Sequence, residues 1–398
     1  MKTTIKHMWS CPMPDPNRPA AGFPILDLAT HVLIFAPDRR AGAYNHHPQL
    51  IHHDGAFHAM WSNHNDGEDG PGQRILYASS VDGGRWTDPT ELFPAPVPPA
   101  GGDDSGLALT AHRWVTVGSR LYAVVGCHAN VGFENPERTE RTDVRDAEHP
   151  FRARRMHDRY CREVSTDSGS SSGRYPIFPL GPDVPAPEEV RFEALDWSED
   201  GVQKTAAQIN HELNRPDRYP SWGAPQPQGV DTDRLCEPTV YHTADGAFMM
   251  LLRDDNYSHR LYAATSRDGR AYETAVPTDI PDSPSLTTNV VLADGTVVLI
   301  GNQVAPRFDN PREVRHYARD PLTVAVSTDG GFTFNRVFAL RDGAPDLRVP
   351  GVRGRGRGFQ YPSAVVHGDR LSVLYSIGKE DIAVSHVPLD ALGIAAHE

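Results

Sequence analysis

Five segments of the chain repeat one pattern, in which a short apolar run, a tight turn and a second apolar run follow one another. The runs have the length of β-strands and are rich in Val, Leu, Ala and Tyr. Most copies carry Asp-Gly or Gly-Asp at the turn, a strong hairpin signal. The segments are HHPQLIHHDGAFHAMWSN (46–63), HRWVTVGSRLYAVVGCH (112–128), EPTVYHTADGAFMMLLRD (237–254), TNVVLADGTVVLIGN (288–302) and YPSAVVHGDRLSVLYS (361–376). The pattern predicts an all-β chain built from repeated antiparallel hairpins.

A second motif, Ser-x-Asp followed by Gly and an aromatic residue, comes after several of these hairpins. Good copies are Ser80–Trp86, Ser266–Tyr272 and Ser327–Phe334, and weaker ones begin at Ser165 and Ser198. Ser and Asp side chains can bind the amides of a turn, and Gly supplies a positive φ. The motif resembles the Asp-box of sialidase-like propellers, which lies between the third and fourth strands of a blade. The resemblance implies a β-propeller.

The spacing between Asp-boxes gives an expected blade count. Ser266 and Ser327 are separated by about the length of one blade, and dividing the chain by that spacing gives six or seven blades. We expect a seven-bladed β-propeller, with six blades as the alternative, forming a single domain over residues 1–398. Residues 130–235 are charged, Ser-rich and Pro-rich, so we expect long irregular insertions there, with the few helices among them. These insertions either form surface loops or shape the rim of a pocket.

Composition narrows the class of partner and the compartment. The net charge of −13 disfavours binding to nucleic acid, and no apolar run has the length of a membrane span. The first residues, MKTTIKHMWSCPMPDPNRP, lack the apolar stretch of a signal peptide, so we expect a cytoplasmic protein. Four cysteines without paired spacing indicate free thiols. The sequence leaves the oligomeric state open.

The hairpin repeat also predicts where polar side chains gather. The first strand of a hairpin starts, and the second ends, at one end of the blade, so these positions should share one face around the propeller axis. Imidazole transfers protons near neutral pH, a phenol can donate a proton or act as a nucleophile, and a guanidinium can hold a carboxylate. The catalytic candidates are His46, His47, His128 and Tyr361, and the substrate-binding candidates here are Asn63, Glu237, Arg253 and Asn302. For each, a structural role is the alternative, and we expect Arg253 and His47 to face solvent.

The segments YNHHPQLIHHDGAFHAMWSN and GFQYPSAVVHGDRLSVLYSIGKEDIAV resemble bacterial proteins of the sialidase-like (BNR-repeat) superfamily. They look closest to the seven-bladed L-rhamnose-α-1,4-D-glucuronate lyases and to their α-L-rhamnosidase-like relatives. True sialidases are a worse match, because Gly22-Phe23-Pro24-Ile25-Leu26 lacks the arginine of the Phe-Arg-Ile-Pro motif. The resemblance implies an exo-acting polysaccharide lyase that frees a sugar, L-rhamnose, from a uronic acid in an acidic oligosaccharide.

In the lyase mechanism that this implies, Arg253 binds the uronate carboxylate, helped by Arg74 or Arg307. His47 or His46, or else His128, removes the proton beside that carboxylate, and Tyr361 or a second histidine protonates the departing oxygen. Lys379, in the charged turn after the last hairpin, is a further binding candidate, with a salt-bridged turn as the alternative.

Two other functions fit the same residues. A glycoside hydrolase, of the α-L-rhamnosidase or sialidase-like kind, would use the carboxyl groups of Glu237 and Asp254 as its acid pair. A catalytically silent propeller would only bind glycans. No close histidine spacing supports zinc, so we expect neither a cofactor nor a catalytic metal, with a structural calcium ion on loop carboxylates as an open alternative.

Overall fold

The fold was obtained as a computed structural model. It describes residues 5–38, 40–70, 72–96, 107–129, 158–164, 175–181, 195, 199, 201–216, 225–229, 234–256, 258–304 and 319–395. Twenty strands in these ranges form five four-stranded antiparallel sheets. In the described part of the chain, these sheets are the five blades of a β-propeller.

Four blades are each made of consecutive strands. Blade I contains β2 (Tyr44–His53), β3 (Ala56–His64), β4 (Arg74–Ser80) and β5 (Thr90–Phe93). Blade II contains β6 (Leu107–Val117), β7 (Arg120–Ala129), β8 (Asp158–Val164) and β9 (Ile177–Pro179). Blade III contains β10 (Leu235–His242), β11 (Phe248–Asp254), β12 (Arg260–Ser266) and β13 (Val276–Pro281). Blade IV contains β14 (Thr288–Val291), β15 (Val297–Gly301), β16 (Leu322–Ser327) and β17 (Arg336–Arg341).

Blade V joins the two ends of the chain. It contains β18 (Phe359–His367), β19 (Arg370–Ile377), β20 (Asp381–Pro388) and, from the N-terminal side, β1 (Thr30–Phe35). Strand β1 pairs antiparallel with β20, with Thr30 opposite His386. The first strand therefore completes the last blade and closes the ring, so that blade V has its full set of four strands.

The first strand of each blade lies innermost. Strands β2 and β6, β10 and β14, β14 and β18, and β18 and β2 are in contact. Together the first strands of the five blades line an axial cavity of about 300 Å³. Its lining includes one residue from each blade or its start: His47, His112, Pro238, Asn289 and Tyr361. The starts of these strands therefore meet at one end of the axis.

The expectation of seven blades, or of six, is wrong. The five hairpins recognised in the sequence are the first two strands of the five blades, so the number of hairpins equals the number of blades. The error came from dividing the chain length by one blade spacing. The described residues between Leu107 and Leu235 contain the strands of one blade only, although this interval is about two blade lengths. The number of paired strands, and not the length of chain, sets the number of blades.

The three good Asp-boxes lie between the third and fourth strands of blades I, III and IV, as predicted. In the copy at Ser327, the Asp329 side chain accepts hydrogen bonds from the amides of Phe332 (3.1 Å) and Thr333 (2.9 Å). The weaker copy at Ser165 follows the third strand of blade II but lies outside the described residues, as does Ser198. The motif thus closes an outer turn and takes no part in the axial site.

One α-helix occurs among the described residues, within the stretch where helices were expected. Helix α1 (Val202–Leu213) packs Ala206 and Ile209 against Val115 and Tyr122 of blade II. Two short 3-10 helices lie at Pro19–Gly22 and Leu389–Leu392. No helix in the described part of the chain is long and apolar enough to cross a membrane.

Candidate active site

Three first strands share an unusual backbone feature at the same end of the axis. In blades I, III and V the pairing register shifts where a residue is followed by proline, at His47-Pro48, Glu237-Pro238 and Tyr361-Pro362. The residue before each proline has a positive φ, of 51°, 48° and 55° respectively. Non-glycine residues rarely adopt this conformation, and bulges of this kind re-aim a side chain. Each bulge turns its side chain toward the others.

The resulting cluster is centred on the phenol of Tyr361. Its hydroxyl donates a hydrogen bond to Oε1 of Glu237. Arg253 Nη1 donates to Oε2 of the same carboxylate at 2.6 Å and to the Tyr361 oxygen at 3.1 Å. The Arg253 Nε lies 2.7 Å from a carboxylate oxygen of Asp255. Arg253 and Tyr361 are each only 6% exposed. The sequence predicted that Arg253 faces solvent, but its guanidinium lies inside a buried ion-pair network.

Two further cations flank the Tyr361 ring. The guanidinium carbon of Arg319 lies 5.4 Å from the ring centroid and the ammonium of Lys379 lies 5.7 Å from it. Arg319 donates to Gln360 Oε1 and to the Pro284 carbonyl (3.2 Å). Lys379 lies 2.8 Å from Oε2 of Glu68. Three cations, Arg253, Arg319 and Lys379, therefore lie around the Tyr361 ring, two of them paired with carboxylates.

Opposing effects set the protonation states of Glu237 and Tyr361. Burial raises the pKa of Glu237, but the charge of Arg253 and the hydrogen bonds from Tyr361 and Arg253 outweigh it, so its pKa lies below 4.5. Burial and the Glu237 charge raise the pKa of Tyr361 well above its ordinary value, although both arginines oppose this shift. At neutral pH the pair is a carboxylate that accepts a hydrogen bond from a neutral phenol. Such a pair can act as a base and its nucleophile.

The histidines at the start of β2 lie beside the phenol. The ring centroid of His46 is 4.0 Å from that of Tyr361 and 4.4 Å from that of His47. His46 Nδ1 is 3.1 Å from the hydroxyl of Ser376. Burial, and next the charge of Lys379, hold the pKa of His46 well below 6.5. His46 is therefore a neutral imidazole at neutral pH.

Beside these histidines, three side chains of types that bind metals lie close together. Ligand atoms of His46, His47 and Glu68 lie within 4.8 Å of one another. However, the Lys379 ammonium already lies 2.8 Å from Glu68, and His47 Nε2 is 4.0 Å from the other carboxylate oxygen. Because a divalent cation would lie against this ammonium, the geometry favours a lysine–carboxylate ion pair over a metal centre.

Other predicted residues lie apart from this cluster. Asn63 donates to Asn45 Oδ1 (2.8 Å) and accepts from Arg74 Nε (2.9 Å), and Arg74 also pairs with Glu91 at 3.3 Å. Asn302 donates to the carbonyls of Pro321 and Phe359, which ties blade IV to blade V. Arg307 and the side chain of His128 lie outside the described residues.

The carboxyl pair proposed for a hydrolase does not form. Asp254 follows Arg253 in β11, and successive residues of a strand point to opposite faces. Its carboxylate is bound to Arg234, with Oδ1 at 3.0 Å from Nε, while Arg253 holds Glu237. The hydrogen-bonding neighbours of Glu237 are therefore Tyr361 and Arg253, and not the carboxyl group of Asp254.

Arg319, Glu68 and Asp282 were missed by the sequence analysis. Glu68 lies between the second and third strands of blade I, Arg319 just before the third strand of blade IV, and Asp282 between blades III and IV. In an antiparallel blade these connections open on the same face as the hairpin ends. The hairpin repeat therefore also locates these connections, although their residues match no local motif.

Comparisons with known proteins agree with this architecture. Residues 187–373 match a family described as a BNR repeat-like domain, and residues 36–123 match one described as a BT_1020-like N-terminal beta propeller. The chain has the fold of the sialidase-like propellers. No curated protein sequence matches it.

Among solved structures, a sialidase aligns with 96% of this chain at 17% identity and a TM-score of 0.69. The chain spans 35% of that sialidase. A Trypanosoma rangeli sialidase variant displaying trans-sialidase activity aligns with 94% of the chain, over 60% of its own length, at 12% identity and a TM-score of 0.54. A Dyadobacter fermentans protein of unknown function aligns over 90% of this chain and 99% of its own, at 16% identity and a TM-score of 0.51. These findings support the sialidase-like superfamily, while the closer resemblance to rhamnose–glucuronate lyases stays a prediction.

Proposed function

We propose that the protein is an exo-acting glycoside hydrolase that removes a terminal acidic sugar, with Tyr361 as nucleophile and Glu237 as its base. The observation that carries the proposal is the buried triplet in which Glu237 accepts hydrogen bonds from both Tyr361 and Arg253. Sialidases are the glycosidases that use a tyrosine in place of a carboxylate nucleophile. The neighbours with this fold include sialidases.

The proposed reaction proceeds in two steps. In the first, the Tyr361 proton passes to Glu237 while the phenol oxygen bonds to the anomeric carbon. The glycosidic bond breaks with its electron pair on the leaving oxygen, which takes a proton from solvent. In the second, water bonds to that carbon and loses a proton to solvent, while Glu237 returns its proton to the departing Tyr361 phenolate. Two displacements retain the configuration of the sugar. Arg253, 3.1 Å from the phenol oxygen, stabilises the negative charge that develops there.

An acidic terminal sugar fits the charges and the burial of this cluster. Arg253, Arg319 and Lys379 lie around one phenol ring. Arg253 and Lys379 pair with carboxylates, whereas Arg319 donates to the neutral acceptors Gln360 Oε1 and the Pro284 carbonyl. A guanidinium suits a carboxylate, which supports a sialic or a uronic acid. Because the central residues are nearly all buried, the site favours a chain end over the middle of a chain.

The test uses methylumbelliferyl glycosides of N-acetylneuraminic acid, glucuronic acid and rhamnose. We expect fluorescence release from an acidic glycoside, and we expect Tyr361→Phe to lower kcat by about 10²-fold or more, because the nucleophile is gone. Tyr375→Phe is the matched control. Tyr375 is also buried in blade V, but its hydroxyl bonds Ser385 at 2.8 Å and lies outside the cluster. Equal activity of wild type and Tyr361→Phe would rule out the tyrosine mechanism.

The second candidate is a lyase that releases rhamnose from a glucuronate by β-elimination. The observation that favours it is His46, whose Nε2 is buried and has no hydrogen-bond partner in the described part of the chain. A neutral imidazole beside the cations could remove the proton next to the uronate carboxylate.

A rhamnose-capped glucuronide separates the candidates. Elimination creates a conjugated double bond that absorbs in the ultraviolet, whereas hydrolysis frees the same rhamnose without it. Release of rhamnose with the chromophore would favour the lyase. Binding of acidic oligosaccharides without any release would favour a glycan-binding propeller.

A further inference from the structure

A second cavity lies at the end of blade III that is opposite to the Tyr361 cluster. In the described part of the chain it has a volume of about 450 Å³, within the range of about 300–1,000 Å³ that is typical of small-ligand sites. Thr243 and Asp245, in the turn between β10 and β11, line it, whereas Glu237 lies near the start of β10. The stretch of extended chain from Glu237 to Thr243 spans about 20 Å. The cavity is therefore separate from the proposed hydrolase site.

An ammonium group with a weak partner borders this cavity. The Lys6 amide donates to the carbonyl of Pro277, in the outer strand β13, at 2.8 Å. The Lys6 side chain is half-buried, and among the described residues its Nζ has one hydrogen-bond acceptor, the sulfur of Met249 at 3.7 Å. A thioether is a weak acceptor. Burial lowers the pKa of Lys6, although the charges of Glu273 and Asp245 oppose the shift. The ammonium is thus partly removed from water without a strong acceptor in exchange.

An exposed aromatic ring also lines this cavity. Phe332 lies in the Asp-box turn of blade IV and is 40% exposed. The turn does not need this ring for its packing, because Phe334 of the same turn is fully buried and belongs to the core. Met249 and Ala247 of blade III, which are both buried, add apolar surface to the lining. Aromatic and apolar side chains beside a few polar groups are the usual lining of a ligand pocket.

The charges of the lining nearly balance. The cations are Lys6 and Arg267, and the anions are Asp245, Asp268 and Glu273. Arg267 Nη1 lies 3.3 Å from Asp245, and Asp268 accepts hydrogen bonds from amides of its own turn at 2.8 and 2.9 Å. An ionic ligand would need an excess of the opposite charge, which this lining does not offer. The mixture of donors and acceptors suits a neutral ligand with several hydroxyl groups.

We propose that this cavity is a second carbohydrate site, which binds one neutral sugar residue. Hydroxyl groups of the sugar accept a hydrogen bond from Lys6 Nζ and donate to the carboxylate of Glu273, since a hydroxyl can do both. The apolar face of the sugar ring packs against Phe332. Thr265 donates to Glu273 Oε2 at 2.6 Å, which positions that carboxylate. The two sites lie at opposite ends of blade III, so a glycan held here leaves the Tyr361 cluster open.

The test is a titration with methyl glycosides of glucose, galactose, mannose and rhamnose, followed by NMR of protein that carries ¹³C in its methionine methyl groups. The chain has seven methionines, and Met249→Leu identifies the Met249 signal. We expect at least one neutral glycoside to shift this signal in a saturable manner, because Met249 lines the cavity. We expect the methyl glycoside of glucuronic acid to bind at least about tenfold more weakly, because its charge meets three carboxylates.

Two variants connect the signal to the cavity. Phe332→Ala and Lys6→Gln should each weaken binding by about tenfold, because one removes the aromatic contact and the other a charged hydrogen-bond donor. Val81→Ala is the matched control, since Val81 is an exposed apolar residue in the Asp-box turn of blade I. Tyr361→Phe should bind the glycoside as the wild type does. Thermal melts establish that each variant is folded.

The outcomes separate this site from the proposed hydrolase. If no neutral glycoside shifts the Met249 signal, or if both cavity variants bind as tightly as the wild type, there is no sugar site in this cavity. Tighter binding of the glucuronide than of every neutral glycoside would overturn the assignment to a neutral sugar. If the signal shifts as expected while the protein cleaves no glycoside, the second site stands and the proposed hydrolase fails.

Discussion

Replacing Arg253 by methionine tests whether the centre of the propeller is a buried charge network. Methionine keeps much of the length of the side chain but removes the guanidinium. The guanidinium now lies 2.6 Å from Glu237 and 2.7 Å from Asp255. Without it, a buried carboxylate loses its counter-ion. Such a loss costs about 3–5 kcal/mol, a large part of the 5–15 kcal/mol that is typical of whole domains.

The pH dependence of this loss has a definite sign. In the wild type the pKa of Glu237 lies below 4.5, so its stabilisation is present above pH 4.5 and is lost as the pH falls through the lowered pKa. In Arg253→Met burial remains without the attraction, so we expect the pKa of Glu237 to lie above 4.5. The variant then regains stability as the pH falls toward that raised pKa. The difference between the two proteins should therefore shrink on acidification.

The assay is equilibrium unfolding in urea, followed by circular dichroism at several pH values between neutral and mildly acidic. Arg120→Met serves as control, because Arg120 is largely exposed and its partner Glu163 lies at 3.5 Å. Exposed pairs contribute only about 0–1 kcal/mol. If Arg253→Met costs no more than Arg120→Met, or if its cost is the same at every pH, the reasoning about the buried network is wrong.

Two further predictions concern stability. Burial lowers the pKa of His58 to about 4. As the pH falls, His58 therefore takes up a proton in the unfolded chain before it does so in the folded protein. The free energy of unfolding should decrease by about 3 kcal/mol as the pH falls from 6.5 to 4. His58→Gln should flatten that part of the urea-unfolding profile, and an unchanged slope would contradict this. Gly331→Ala should destabilise by about 1–3 kcal/mol, because φ is +87° and a Cβ would lie 2.3 Å from the Tyr241 ring. Gly343→Ala, at φ +74° with open space around it, should cost less in the same thermal melts.

The strained bulges explain why the chemistry gathers at one end of the axis. His47, Glu237 and Tyr361 occupy equivalent positions in three blades, each with a positive φ and each followed by proline. Such conformations persist only where the surrounding structure holds them, and they are common at functional sites. We expect that a residue tolerant of positive φ, as in Glu237→Asn, would relieve strain and at the same time remove the proposed base.

The sequence by itself determined the strands and part of the site. Hairpins and Asp-boxes are local patterns, since a turn and its two strands depend on residues close together in the chain. For the same reason the starts and ends of hairpins could be assigned to one face, which brought His46, His47, Glu237, Arg253 and Tyr361 into one hypothesis. The blade count failed, because chain length alone does not reveal how many strands pair into sheets.

Only the tertiary structure decided which of those residues touch. Arg253 binds Glu237 while Asp254 turns away to Arg234, because the bulge at Glu237 and the alternation of β11 select one side chain of each pair. Arg319 and Glu68 reach the site from connections between strands, whose paths no local pattern specifies. Burial was also invisible in the sequence. The polar residues at strand ends were expected to face solvent. They are buried because the five first strands meet at one narrow axis.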